Sequence, residues 1–129
     1  MAKKIRKKDS QSMAQERLDY IRQLNSSIEK VVHELKGKVK KISLFGSYPE
    51  RADLFSDLDL LIIMETDQPY LKRLEEIYSR LSLPVDADIL CYTPEEIRLM
   101  KRRGFWRHIS KKEVVLYEEK SKGRRKTLA

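Results

Sequence analysis

The side chains best suited to chemistry are carboxylates beside a glycine turn. Asp57 and Asp59 stand two apart where an apolar run begins, Asp57-Leu58-Asp59-Leu60-Leu61. Residues two apart on a strand project from one face, so the two carboxylates lie side by side. Like charges this close each resist ionisation unless a cation sits between them. Hard oxygen donors of this kind suit Mg²⁺ or Mn²⁺, and paired ions in such sites lie about 3.5–4 Å apart. Two exposed acids at a strand end would read the same way, so the pair alone does not decide. Gly46-Ser47, separated from Asp57 by nine residues, adds a second element. A glycine directly after a strand permits close approach of a ligand to the backbone, and the neighbouring hydroxyl can bond a phosphate oxygen. If the turn opens a helix, its free N–H groups favour an anion there. A phosphate cradle beside a dicarboxylate suits a metal-bound nucleoside triphosphate. A third acid, Asp86 or Asp88, lies on one side of a later strand at 85–92. Another carboxylate there would complete a metal cage and help deprotonate an attacking hydroxyl.

Strands and helices must bring these groups together. Met13, Leu18, Ile21, Leu24, Ile28, Val31, Val32 and Leu35 recur mostly three and four apart, which predicts one long amphipathic helix. Ser10 or Ser12 would cap its start, and Gly37 would take the left-handed position at its end. His33, late in that helix, reads as a partner of the helix dipole or of solvent. A strand follows at 39–45, a turn or short helix at 48–55, and the most strand-like segment at 58–64. Leu71, Leu74, Ile77, Tyr78 and Leu81 mark a second helix, with Asp67 as its cap. Thr93-Pro94-Glu95-Glu96 is a capping box that starts a third helix, ended by Gly104. Phe105 to Lys111 reads as a further short helix, and Val114 to Tyr117 as the last strand. The order helix, strand, strand, helix, strand, helix, strand predicts an α+β (α/β two-layer) domain. In it, helices pack on one side of a small mixed sheet.

The 129 residues suffice for one domain. Charged residues make up 37%, against roughly 25% in an average protein, and the net charge is +8. That excess sits at the ends: residues 1–8 and 120–129 each carry five basic side chains and no acid. The remainder holds 18 basic against 20 acidic residues, a net of −2. The chain therefore divides into a basic, disordered tail over 1–9, a catalytic-sized domain over 10–117, and a basic tail over 118–129. The tails serve solubility or weak contact with nucleic acid. No apolar run approaches the roughly 20 residues of a membrane span. A single cysteine, Cys91, excludes an internal disulfide framework and a zinc finger, which suits a cytoplasmic protein.

Leu44-Phe45-Gly46-Ser47, Ser56-Asp57-Leu58-Asp59-Leu60-Leu61 and Ala87-Asp88-Ile89-Leu90 resemble the signature of the DNA polymerase beta-like nucleotidyltransferase superfamily. The chain is most similar to its minimal nucleotidyltransferases, the small stand-alone domains often paired with helical HEPN toxins. The resemblance spans about residues 39–117 and includes Tyr92-Thr93-Pro94-Glu95-Glu96 and Val114-Val115-Leu116-Tyr117-Glu118. It implies that Gly46 and Ser47 bind the β- and γ-phosphates. Asp57, Asp59 and Asp88 would hold two Mg²⁺ ions, or Mn²⁺, and carry catalysis. The third acid is Asp88 rather than Asp86, because it immediately precedes the Ile-Leu-Cys-Tyr-Thr-Pro segment. Relatives place a basic residue and a glycine shortly after Gly-Ser, and ten residues before the first aspartate. This chain has nine, Tyr48-Pro49-Glu50-Arg51-Ala52 among them, and no such glycine. Arg51 would then contact a phosphate or form a surface ion pair.

The reaction so implied moves a nucleoside monophosphate, AMP from ATP, to a hydroxyl and releases pyrophosphate. In related pairs the acceptor is a tyrosine of the toxin, which makes antitoxin-type AMPylation the leading specific version. The rival is a non-catalytic, antitoxin-like or nucleotide-binding module acting by contact. Oligomerisation of the chain is left open. The basic-aromatic cluster from Lys101 to His108 reads mainly as packing through Phe105 and Trp106, although its arginines and Trp106 can also stack on a base.

Overall fold

A computed structural model describes residues 2–45, 58–102, 104 and 113–120, with side chains in the first helix from residue 11 onward. The order is α1 (Ala2–Leu35), β1 (Lys41–Phe45), β2 (Leu58–Ile63), α2 (Tyr70–Arg80), β3 (Ala87–Tyr92), α3 (Pro94–Met100) and β4 (Val114–Glu118). This is the expected alternation. The expected elements at 48–55 and 105–111 lie outside the described residues.

α1 starts at Ala2, not at Ser10 or Ser12, so the basic stretch expected as a disordered tail over 1–9 has helical backbone from residue 2. Lysine and arginine are good helix formers, and no proline or glycine interrupts residues 2–10. At 34 residues the helix is about 51 Å long, whereas strands of five or six residues span roughly 17–20 Å. The sheet can therefore cover only part of it. Leu24, Val31 and Leu35 are buried, with Tyr20, Ile28 and Val32 packed beside them, while Met13 and Leu18 stay exposed. Gly37 has φ of 83° and turns the chain after the helix, as its position predicts. Its N–H donates to the Tyr117 hydroxyl at 3.0 Å.

The sheet order is β3-β2-β1-β4. β2 and β3 run parallel, and β1 is antiparallel to β2 and to β4, which makes the sheet mixed as expected. Alternation along the strands divides the side chains between two faces. Ile42, Leu44, Leu58, Leu60, Ile62, Ile89 and Cys91 form the main core under α1 and α2. Leu61 and Ile63 face the other way and pack with Ile97 of α3, beside Phe45, Leu90 and Tyr92. The helices thus take both faces rather than one: α1 and α2 cover one side, and α3 part of the other. β2 is buried on both sides, which explains its nearly continuous apolar run.

α2 and α3 begin differently. Thr93 and Glu96 form the predicted capping box, with Glu96 N–H donating to Thr93 Oγ1 at 3.1 Å and Thr93 N–H to Glu96 Oε1 at 2.9 Å. The N-cap of α2 is Pro69 rather than Asp67, and it makes no side-chain cap bond. Arg73 instead ties this helix down. Its guanidinium meets Glu96 at 2.8 and 3.0 Å, and its Nε donates to the Gln68 carbonyl at 2.9 Å.

Candidate active site

Strand direction decides which loops meet. Because β1 is antiparallel to β2 and β4, and β2 is parallel to β3, the C-terminal end of β1 and the N-terminal ends of the other three strands share one edge of the sheet. Phe45, Asp59 and Asp88 form a row across that edge: Asp59 pairs with Phe45 on one side and with Asp88 on the other. Partners in adjacent strands are about 4.8 Å apart and put their side chains on the same face. The Asp59 and Asp88 carboxylates are therefore neighbours, although 28 intervening residues separate them in the chain. Gly46-Ser47 follow Phe45 directly in sequence, and Asp57 precedes Asp59 by two. Gly46, Ser47, Arg51 and Asp57 themselves lie outside the described residues.

The acids lie on the α3 side of the sheet, since Asp59 alternates with Leu61 and Asp88 with Leu90. Ile97 and Met100 of α3 pack farther along the same face, on the side of Leu61, Ile63 and Tyr92. Asp88 is exposed and Asp59 partly so. A cavity of about 410 Å³ opens beside Asp88, lined also by Tyr78, Leu83, Asp86 and their neighbours. Among the described residues no cluster of three or more metal-binding side chains occurs, and Asp59 and Asp88 supply two of the three expected carboxylates. Their oxygens are hard, anionic donors on one face, and they fit a small divalent cation.

Two further features escape local sequence reading. Glu113, just before β4, accepts a hydrogen bond from the buried Ser43 hydroxyl and pairs with Lys41 Nζ at 3.0 Å. A lysine ammonium already neutralises this carboxylate. Tyr78, expected only as a packing residue, donates its hydroxyl to the Ala87 carbonyl and accepts the Ile89 N–H, both at 3.1 Å. Neither contact has a signal in the spacing of residues, because 8 to 71 residues separate the partners. At the far end of β3, Arg73 holds the Glu96 carboxyl below its ordinary range, and burial raises the Cys91 thiol to about 11. His33 lies in the last turn of α1.

Residues 25–128 match the family model for the nucleotidyltransferase domain. The chain belongs to that family, and it is accordingly a nucleotidyltransferase, an enzyme that transfers nucleoside monophosphate. The match begins at Asn25, within α1. The fold is similar to the crystal structure of a Sulfolobus solfataricus protein assigned as a nucleotidyltransferase. That likeness has a TM-score of 0.52 and 14% identity, and it covers 82% of this chain and 86% of the other. At that identity it speaks for the fold alone. No curated protein matches the chain. Among the described residues no helix is long and apolar enough to cross a membrane.

Proposed function

We propose that the chain transfers AMP from ATP, with Mg²⁺, to a hydroxyl acceptor, and that the acceptor is a tyrosine of a helical partner toxin. The observation that carries the catalytic part is the register of Asp59 with Asp88 at the edge of the sheet where β1 runs into Gly46-Ser47. Asp57, Asp59 and Asp88 would hold the divalent cation. When bound, it lowers the charge on the triphosphate and the pKa of the acceptor hydroxyl. Gly46 and Ser47 bind the β- and γ-phosphates, and Arg51 adds a positive charge to them. Asp88, exposed beside the 410 Å³ cavity, orients the acceptor hydroxyl and receives its proton on a carboxylate oxygen. The acceptor oxygen then bonds to the α-phosphorus as the bond to the bridging oxygen breaks, and pyrophosphate leaves. Holding donor and acceptor in line supplies much of the acceleration.

The choice of ATP, of Mg²⁺ and of a tyrosine acceptor rests on the resemblance to minimal nucleotidyltransferases. Co-expression with a helical partner encoded next to this chain, followed by peptide mass spectrometry of that partner, tests it. A tyrosine bearing one AMP, absent when Asp57 and Asp59 are both replaced by Asn, is the expected result. Neutralisation of the partner by the doubly substituted chain, with no adduct in either case, would replace AMPylation by inhibition through contact.

A further inference from the structure

Among the described residues β3 is an edge strand, paired only with β2. The carbonyls of Asp86 and Tyr92 accept the N–H groups of Leu58 and Met64. Even-numbered residues of this strand therefore turn their backbone polar groups toward β2, and odd-numbered ones turn theirs to the open edge. Open edges invite pairing with other chains unless something covers them. Here side chains of α2 do so. Arg73 donates to the Cys91 carbonyl at 3.2 Å, the Tyr70 hydroxyl lies near the Cys91 backbone, and Tyr78 bonds Ala87 and Ile89.

The Tyr78 contacts differ from the others in what they bracket. The Ala87 carbonyl belongs to the peptide unit before Asp88, and the Ile89 N–H to the unit after it. One oxygen, using its single proton and a lone pair, thus fixes both peptide units flanking the Asp88 Cα. Asp88 is exposed, so packing does little to hold it. We propose that Tyr78 is a positioning residue for nucleotidyl transfer: its paired bonds to Ala87 and Ile89 keep Asp88 aligned with Asp59, so that both carboxylates converge on one divalent cation. This rests on the reading of Asp88 as the third carboxylate. Partners that orient metal ligands commonly change metal affinity about 10–100-fold when removed.

The test needs no acceptor and no turnover. Mn²⁺ is titrated into the full chain with a non-hydrolysable ATP analogue, and free Mn²⁺ is read by electron paramagnetic resonance. Tyr78→Phe keeps the ring of a side chain that is 44% exposed and removes only the two bonds. Tyr70→Phe removes a hydroxyl near the same strand edge at Cys91, away from the acids, and serves as the control. The Mn²⁺ Kd should rise about 10-fold or more in Tyr78→Phe and less than about 2-fold in Tyr70→Phe, with faster amide exchange at Ile89 only in the former. Asp88→Asn should weaken Mn²⁺ at least as much, and adding Tyr78→Phe to it should change nothing further. Wild-type Mn²⁺ binding by Asp88→Asn would overturn the reading of Asp88 and the proposal with it. Weak binding by Asp88→Asn alongside equal behaviour of the two tyrosine variants would overturn the positioning role and leave the site reading standing.

Discussion

Asp59 and Asp88 are carboxylates in strands that otherwise read as apolar, and that mismatch is what made them legible in the sequence. Strands packed on a core rarely carry acids unless something pairs with them. Which acid of the later strand matters was not decided by spacing, since Asp86 and Asp88 share a face. The parallel register decides the geometry, because Asp88 is the one opposite Asp59. Tyr78 and Glu113 were not legible, because their partners come from other elements and no local pattern announces a hydroxyl seated on a strand edge. If Asp88 takes the acceptor proton, Asp88→Asn should lower kcat about 100-fold or more while the KM for ATP stays within a few-fold. Steady-state kinetics would check this. A rise in the ATP KM with kcat unchanged would instead place Asp88 in nucleotide binding.

At the scale of elements, Arg73 joins three pieces: it bonds Gln68 before α2, the Cys91 carbonyl of β3, and Glu96 in the first turn of α3. The capping box of α3 was legible because Thr93, Pro94 and Glu96 are adjacent in sequence. The second use of Glu96, against an arginine 23 residues away, was not. The same arginine explains why α2 dispenses with a side-chain cap. Arg73→Met should cost about 2–3 kcal/mol, because it takes the cation from Glu96, which keeps only the Thr93 N–H, and the side-chain donor from the Cys91 carbonyl. Denaturant unfolding would measure it. The Glu96 side chain is 40% exposed, so solvent screens its share and the loss in Glu96→Gln should be smaller. Arg73 holds the Glu96 pKa below its ordinary value of 4.5 in the folded state. The contribution of this carboxylate is therefore present above about pH 4.5 and fades as pH falls through the lowered folded value. Melting temperatures of wild type and Glu96→Gln should differ by a constant amount near neutrality and converge in stronger acid.

For the whole molecule, the mixed sheet is the device that gathers the site. A helix-strand-strand-helix-strand-helix-strand order was readable from periodicity, but the order β3-β2-β1-β4 and the division of helices between two faces depend on long-range pairing. The length of α1 shows the same limit: periodicity marks a helix, and only the size of the sheet decides how much of it is covered. The net charge of +8 resolves into a body of −2 and two basic ends. Any contact with nucleic acid should therefore be weak, fall steeply with salt, and vanish on removal of residues 120–129 with the lysines and arginine of 1–8 neutralised. Fluorescence anisotropy with a short duplex would show it, and Mn²⁺ binding should be unaffected. The most direct test of the central claim follows label from the two ends of ATP. The chain is incubated with Mg²⁺, a cell extract as acceptor source, and ATP labelled at the α- or the γ-phosphate. The α-label should pass to the acceptor, the γ-label should leave as pyrophosphate, and Asp57→Ala and Asp59→Ala should each abolish both. Transfer of the γ-label to the acceptor, or undiminished α-label transfer by the aspartate variants, would contradict a nucleotidyltransferase site built on these acids.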